Sequence, residues 1–328
     1  MRLFITGANG YIGGSFLTKA LAKGFDIFCC DNFSNSRIES IEKLMRKYSF
    51  NFYEIDLKEY SDINNAIRDS RPDVVIHFAA LKSVPESEIN KELYTQNNVV
   101  GTLNLLNAMV QNGIKKIIFS SSAAVYGDQK QQPVDENIEI NPVSHYAVTK
   151  GLCEDLIKEF SNKYGLNSIS LRYFNPLGIH SEKIFFDSLQ SKERNVLGNI
   201  MACYLKMAPI FRVYGNDHAT HDGTAIRDYI HIDDLIEGHF SALKIMKNEK
   251  NYEVINLGSN HGTSVLELIN IFNEVSKIEL PYKIIERRKS DLSVSYADSR
   301  KSNKILKWET RKTVKDMCES YFNFFKNG

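Results

Sequence analysis

The chain has 328 residues, 43% of them apolar and 25% charged, with 41 Lys and Arg against 40 Asp and Glu. That length allows one large or two linked domains with a full hydrophobic core, and the balanced charge gives no global basic field for nucleic acid or an anionic membrane. No apolar run approaches the ~18 residues needed to cross a bilayer, and no signal-peptide pattern opens the chain. The five cysteines (Cys29, Cys30, Cys153, Cys203, Cys318) are scattered, without metal-ligand or disulfide-framework spacing. A reduced, cytoplasmic protein without a metal centre is therefore expected.

Arg2–Thr6 reads as a short apolar strand, followed at once by Gly7-Ala-Asn-Gly10-Tyr11-Ile12-Gly13 and an amphipathic stretch to Lys23. Residues 25–30 form a second strand that ends in Asp31. A glycine triplet alone is a weak signal. Placed between a strand and a helix, with an acid closing the next strand, it becomes the arrangement of a dinucleotide site. Gly7 permits a tight turn, Gly10 lets backbone approach a pyrophosphate at the helix N-terminus, and Gly13 lets the helix pack on the sheet. Asp31 would accept hydrogen bonds from a ribose diol and repel a 2′-phosphate, which favours NAD over NADP. A glycine-rich turn without a ligand is the bland alternative.

The alternation continues. Residues 50–55 read as a strand ending at Asp56, a polar helix lies around 62–70, and 73–79 is a buried strand of the kind that suits a parallel sheet. A loop at 81–85 carries Lys82, a helix spans about 95–112, and 116–121 and 167–174 are further strands. This predicts an α/β fold, a doubly wound parallel sheet of Rossmann type, with ligands beyond the carboxyl ends of its strands. Gly7 to Gly13, Asp31, Asp56, residues 79–82, 120–122 and 173–175 all lie at such ends. Residues 1–176, joined by about 228–257, are expected to form the dinucleotide-binding domain. Residues 177–328 form mainly a smaller, interleaved C-terminal α/β substrate region. Its pattern is looser: a helix-like 198–207, a helix over 231–247, a short strand at 254–257, and Ser264 with Glu267 as a capping box before a helix to Lys277.

The stretch His145-Tyr146-Ala-Val-Thr-Lys150 sets a phenol and an ammonium four residues apart on one helix face. A free tyrosine has a pKa of about 10, and a nearby cation favours the phenolate, so Tyr146 is a candidate base. The same spacing also occurs by chance on surface helices.

Taken together, Gly7-x-x-Gly10-x-x-Gly13, Asp31-Asn32, Ser120-Ser-Ser-Ala-Ala-Val-Tyr-Gly127, Tyr146-x-x-x-Lys150, Arg172-Tyr-Phe-Asn175 and Arg227-Asp-Tyr-Ile-His231 resemble the extended short-chain dehydrogenase/reductases. Within these the chain is most similar to the UDP-glucose (UDP-galactose) 4-epimerases, nearly end to end. The resemblance implies an isomerase with tightly bound NAD that inverts C4 of a UDP-sugar through a 4-keto intermediate. Tyr146 would take the 4-hydroxyl proton, Lys150 would hold the nicotinamide ribose and, with the cationic nicotinamide, keep the tyrosine pKa down, and Ser122 would bridge the 4-oxygen and Tyr146. It further places the cofactor on Gly7, Gly10, Tyr11, Ile12, Gly13, Asp31, Asn32, Asp56, Leu57, Phe78, Ala79, Ala80, Lys82, Asn97, Tyr146, Lys150 and Phe174. The nucleotide sugar would meet Lys82, Ser122, Tyr146, Asn175, Asn199, Arg227, Arg288, Asp291 and Ser295. Arg227 and Arg288 would grip the diphosphate bidentately, and Asp291 the uridine ribose. Read alone, each of these is more often a surface charge, and His231 is read as structural. The family also implies a homodimer, for which Val99, Leu103, Leu106 and Met109 with Leu152, Leu156 and Phe160 offer apolar faces; packing against the chain's own sheet is the alternative role of these residues.

Several positions depart from the family pattern. Ala124 replaces a threonine, His145 replaces a proline, and 181–194 carries Phe185-Phe186 where a glycine/proline-rich loop is usual; that loop is expected to pack on a neighbouring surface or subunit. Ser295 stands where narrow-specificity enzymes carry a tyrosine, so UDP-GlcNAc and UDP-GalNAc are expected substrates beside UDP-Glc and UDP-Gal. An epimerase restricted to the latter pair is the alternative. A 4,6-dehydratase or decarboxylase would need acidic groups where Ala123-Ala124 stands. An NAD-sensing regulator without turnover would typically have lost Tyr146 or Lys150.

Overall fold

The computed structural model describes every residue except Arg37, Ser188, 190–193, 247–250, 289–290 and 327–328. Among the described residues the strands run β1 (Arg2–Thr6), β2 (Asp26–Asp31), β3 (Asn51–Glu54), β4 (Val74–His77), β5 (Lys116–Ser122), β6 (Asn167–Tyr173), β7 (Asn175–Leu177), β8 (Phe211–Tyr214), β9 (Ile226–His231), β10 (Asn251–Leu257), β11 (Gly262–Ser264), β12 (Tyr282–Ile285) and β13 (Val294–Ser295). The chain divides into two compact units. The first comprises Met1–Val125, Ile140–Arg172 and His239–Ile255; the second comprises Tyr126–Glu139, Tyr173–Gly238 and Asn256–Gly328.

The first unit is built on a seven-stranded sheet in the order β10-β6-β5-β4-β1-β2-β3. The run from β3 through β2, β1 and β4 to β5 is parallel throughout. Leu3, Phe4, Ile5, Val75 and Ile76 are almost entirely buried, as strands covered on both faces must be. One face packs Phe4, Val75, Ile117 and Phe119 against Ile63, Ile67, Leu105, Leu106 and Met109 of the flanking helices. The strand order reverses between β1 and β4, and in such sheets the crevice at the reversal is where ligands bind. The helix expected over 95–112 begins as a π-turn, Thr95–Val100, and continues as the α-helix Gly101–Gln111.

In the second unit β9 is the centre, with β11 and β13 on its edges and β7 paired to it at Asn175↔Tyr229. β8 and β12 form a separate parallel pair. Their core joins Leu197, Met201, Phe272, Met317, Tyr321 and Phe322. The capping box is present: Ser264 Oγ accepts from Glu267 N, and Glu267 Oε2 accepts from Ser264 N at 2.7 Å. The segment 126–139 belongs to this unit because Val134 pairs with Ala297, its N–H donating to Tyr296 O (3.0 Å) and its carbonyl accepting from Asp298 N (2.9 Å). Strands β8, β9 and β11 to β13 occupy stretches that the sequence left irregular. They are short or one-sided, so their period-2 signal is weak.

Phe185 is buried and Phe186 sets its ring 4.7 Å from Phe324 and 5.8 Å from Phe325. The unusual loop therefore packs on the chain's own C-terminal helix, Val314–Lys326; positions 188 and 190–193 lie outside the described residues. Of the residues read as a dimer face, Leu106, Met109 and Phe160 are buried in the core, whereas Leu152 is 45% exposed. All five cysteines are free and buried. Among the described residues, no helix is long and apolar enough to cross a membrane.

Candidate active site

The glycine loop follows β1. Gly7 has φ +67°, and a Cβ there would lie 2.6 Å from Ala79 N; a Cβ at Gly13 would lie 2.1 Å from Gly7 O. Both glycines are thus demanded by the protein's own packing. Gly10 is different. A Cβ on it would meet only Gly7 O, at 3.4 Å, an ordinary contact. It caps the helix Tyr11–Ala22, whose first turn has no side-chain cap and no acidic residue. The space and the uncapped N–H groups fit a pyrophosphate, and this is the test that NAD passes here.

Asp31 closes β2 with its carboxylate set in place: Oδ2 accepts from Asn9 N and Oδ1 from Phe33 N, each at 2.9 Å. Burial raises its pKa, and these bonds oppose the rise. Asn32 Nδ2 donates to Asp56 at 3.1 Å, so the segments that follow β2 and β3 are tied together. Tyr11 is nearly buried, Ile12 half-buried, and the Leu57 side chain lies in the core, its carbonyl accepting from Asn104 Nδ2 at 3.0 Å.

Beyond β4, Phe78, Ala79 and Ala80 are half-buried and Lys82 is exposed. A buried relay fixes this strand end. Ala79 N donates to Thr6 Oγ1 (3.2 Å), His77 Nδ1 bonds Thr6 Oγ1 (2.7 Å), His77 Nε2 bonds Thr102 Oγ1 (2.9 Å), and Thr102 donates to Asn98 O (2.6 Å). Because the Thr102 proton is committed to Asn98, Nε2 carries the imidazole hydrogen and Nδ1 accepts from Thr6. Burial pushes the ring pKa down to about 3, so His77 is neutral. Asn97 donates to Asn98 Oδ1 at 3.0 Å. Asn98, which sequence reasoning passed over, accepts from Leu81 N (2.8 Å) and donates to Leu81 O (3.0 Å) and Thr149 Oγ1 (3.1 Å).

Tyr146 and Lys150 share the helix His145–Tyr164, capped by Ser144 Oγ accepting from Ala147 N at 3.2 Å. His145 N donates to Glu88 Oε1 (2.6 Å), its Nε2 bonds Lys91 O (2.8 Å), and Tyr146 N donates to Ser87 Oγ (3.0 Å). A proline at 145 could not make the first of these bonds, which gives the departure there a structural reason. The Tyr146 ring keeps part of its surface accessible while its hydroxyl lies deep. Burial pushes its pKa up to about 12, opposed by a hydrogen bond from Ser122. Ser122 Oγ in turn accepts from Ala124 N at 3.2 Å.

Lys150 does not offset this rise. Its Nζ donates to Ser120 O at 2.6 Å and stands 4.8 Å from the Phe119 ring centre, and its own pKa is pushed down to about 8 by burial. Behind the serine run, Glu154 binds Ser121 Oγ (2.5 Å) and takes Arg172 in a two-point pair (2.9 and 2.6 Å).

In the second unit Asn175 Nδ2 donates to Asp228 O at 2.9 Å. Arg227 and Asp291, read separately as a phosphate grip and a ribose acceptor, form an ion pair with each other. Arg287, unread in the sequence, donates to Asp291 O at 2.8 Å, and the Arg288 guanidinium lies 3.8 Å over the ring of Tyr214, also unread. Asn199 donates to Arg194 O (3.1 Å) and Asn195 O (3.2 Å) within its own helix start. Phe174 is buried, its N–H donating to Leu257 O at 3.3 Å. Ser295 is half-buried and in register with Arg227. Asp228 gathers four donors: Ser259 N and Oγ (2.7 Å each), and Asn260 N and Ala297 N (3.1 Å each). Burial still raises its pKa to about 6. Only its place in the Arg-Asp-Tyr-Ile-His run hinted at this role.

The sequence profile of the family described as NAD dependent epimerase/dehydratase matches residues 3–258. The chain is 37% identical to UDP-glucose 4-epimerase 3 of Oryza sativa subsp. japonica, covering 99% of this chain and 89% of that protein. A UDP-glucose 4-epimerase from Stenotrophomonas maltophila, crystallised with bound NAD and formylated UDP-arabinopyranose, superposes with a TM-score of 0.95 at 32% identity, over 100% of this chain and 98% of that one. The UDP-Glc/GlcNAc 4-epimerase from Campylobacter jejuni does so with a TM-score of 0.87 at 30% identity, over 100% and 99%. The glycine loop, the acid closing β2 and the Ser122–Tyr146–Lys150 group thus stand in a chain that belongs to the NAD-dependent epimerase/dehydratase family.

Proposed function

We propose that the protein is a UDP-hexose 4-epimerase that acts on UDP-GlcNAc/UDP-GalNAc as well as UDP-Glc/UDP-Gal. The observation that carries the reading is Tyr146 one helical turn from Lys150, with the Ser122 side chain beside the phenol and Ala123 and Ala124 following where an elimination would need acids.

NAD, when bound, would supply a reversible hydride acceptor for sugar C4, with no net redox change over the cycle. Tyr146 receives the 4-hydroxyl proton as the hydride leaves and gives it back on the return. A phenol pushed up to about 12 is a strong base once ionised but is almost wholly protonated at neutrality. A positive charge beside it shifts that balance toward phenolate, and Lys150 remains an ammonium up to about pH 8. Ser122 holds the phenol oxygen on one side and leaves the substrate 4-oxygen as its other partner. Gly10, Asp31 and Asn32 hold the pyrophosphate and adenosine ribose, with Asp56 bracing Asn32. Arg227 and Arg288 offer planar cations to a diphosphate, Asp291 being the counter-ion that keeps Arg227 aimed. Ser295 leaves room for a C2 N-acetyl group. Two copies paired through Val99, Leu152 and Leu156 would cover the exposed part of the dimer face.

The test is direct. Purified protein without added NAD is given UDP-GlcNAc or UDP-Glc, and C4 inversion is followed by proton NMR. Product from both sugars is expected. Tyr146→Phe should retain bound NAD and lose at least about a thousandfold in kcat, and Ser295→Tyr should lose the N-acetylated substrate selectively. Absence of product from either sugar would leave a non-catalytic NAD-binding role.

A further inference from the structure

The two-residue strand β13 carries Ser295, and its edges are held differently. On one edge it lies against β9, in parallel register at Val294↔Ile226 and Ser295↔Arg227. On the other edge its ladder is continued by the Gln132 side chain. Gln132 Nε2 donates to Val294 O at 3.1 Å, and Tyr296 N donates to Gln132 Oε1 at 3.1 Å. Only one orientation of the amide satisfies both, since Tyr296 N–H needs an acceptor and Val294 C=O a donor. One residue further, backbone takes over, with Val134 bonded to Tyr296 O and Asp298 N. Gln132 is itself held: its Nε2 also reaches Gln129 O at 3.3 Å, and Gln129 Nε2 ties Tyr126 O (2.6 Å) and Glu139 O (3.0 Å).

Gln132 therefore grips the peptide groups immediately before and after Ser295. A small side chain defines a pocket only as well as its backbone is fixed, because it has no bulk of its own to wedge in place. We propose that Gln132 is a positioning residue for sugar discrimination, fixing the backbone of the wall that meets the substituent at C2. This rests on the reading of Ser295 as the residue facing that substituent.

The experiment measures kcat and KM for UDP-GlcNAc and UDP-Glc on the wild-type holoenzyme, Gln132→Met, Gln132→Glu and Ser295→Tyr, with amide exchange at Tyr296. Gln132→Met keeps the length and removes both bonds. It should lower kcat/KM for UDP-GlcNAc about tenfold relative to UDP-Glc, mostly through KM, as the loss of two hydrogen bonds at a fitted wall predicts. Tyr296 exchange should rise with it. Gln132→Glu keeps the acceptor and loses the donor, so its substrate ratio should fall between the two; it also carries the test if Gln132→Met does not fold. An unchanged substrate ratio, or an equal loss on both sugars, overturns the role of Gln132 while leaving the epimerase reading intact. A wild-type enzyme inert toward both sugars refutes the epimerase reading, and a Ser295→Tyr enzyme with an unchanged ratio refutes the placement of Ser295. The Gln132 proposal falls with either.

Discussion

His77 makes a strong prediction about acid stability. Its ring is 1% exposed, held by Thr6 and Thr102, and its pKa falls from 6.5 to about 3 because burial penalises the imidazolium. In the unfolded chain the ring titrates near 6.5. Between pH 6.5 and 3 the unfolded state therefore binds more protons, and stability falls as pH falls; above 6.5 the contribution is complete. At 1.36 kcal/mol per pH unit the loss is about 2 kcal/mol at pH 5 and about 3 kcal/mol at pH 4. Replacing His77 by Gln removes the titration while keeping groups that can bond both threonines. Asp31 and Asp228, whose raised pKa values act in the opposite direction, are common to both proteins and cancel. Amide exchange in β1 and β4 reads the first unit directly. Wild type should lose about 2 kcal/mol more protection than the variant between pH 7.5 and pH 5. Parallel curves, or an NMR titration placing His77 above pH 5, would refute the argument.

Other substitutions separate packing from ligand binding. Gly13→Ala drives a methyl into the Gly7 carbonyl and should lower both stability and NAD content, whereas Gly10→Ala meets an ordinary contact and should fold normally yet retain little NAD, as melting and the 260/280 nm absorbance ratio will show. Glu154→Ala strands the buried Arg172 and should cost about 3–5 kcal/mol in denaturant unfolding; a loss under 1 kcal/mol would contradict a tightly paired site. Lys150 has a depressed folded pKa of about 8, so its charged form is penalised below that pH and the penalty fades as pH rises toward its unfolded value. Lys150→Met should accordingly be about 1–3 kcal/mol more stable than wild type at pH 7, and inactive. Equal or lower stability would show that the bond to Ser120 outweighs burial.

The first unit was readable because its signals are local and repeated. Continuous apolar strands, a glycine turn and an acid at a strand end recur with the period of the fold, and Ser122, Tyr146 and Lys150 fall where those signals converge. The strands of the second unit were not, since β8, β9 and β13 take their form from pairing with residues far along the chain. Spacing could not reveal that Arg227 meets Asp291, that Gln132 serves strand β13, or that Arg288 covers Tyr214. His145 was visible only as a departure from a pattern; its bond to Glu88 gives the departure a reason.

The π-turn at Thr95–Val100 has a consequence for what the chain can tolerate. Downstream, Leu105, Leu106 and Met109 set the phase of the helix against the sheet; upstream, buried Tyr94 sets another, with its hydroxyl donating to Glu86 and accepting from Ser83 N. An α-helix advances about 100° per residue, so deleting one residue to restore regular winding would turn the upstream half away from its partners by that angle. Asn98 sits inside the wide turn, bonded to Leu81 beside Lys82 and to Thr149, whose hydroxyl donates to Tyr146 O at 2.7 Å. The irregular turn thus works as a phase adaptor between two rigid segments. The loop bearing Lys82 and the helix bearing Tyr146 are joined through the Asn98 amide.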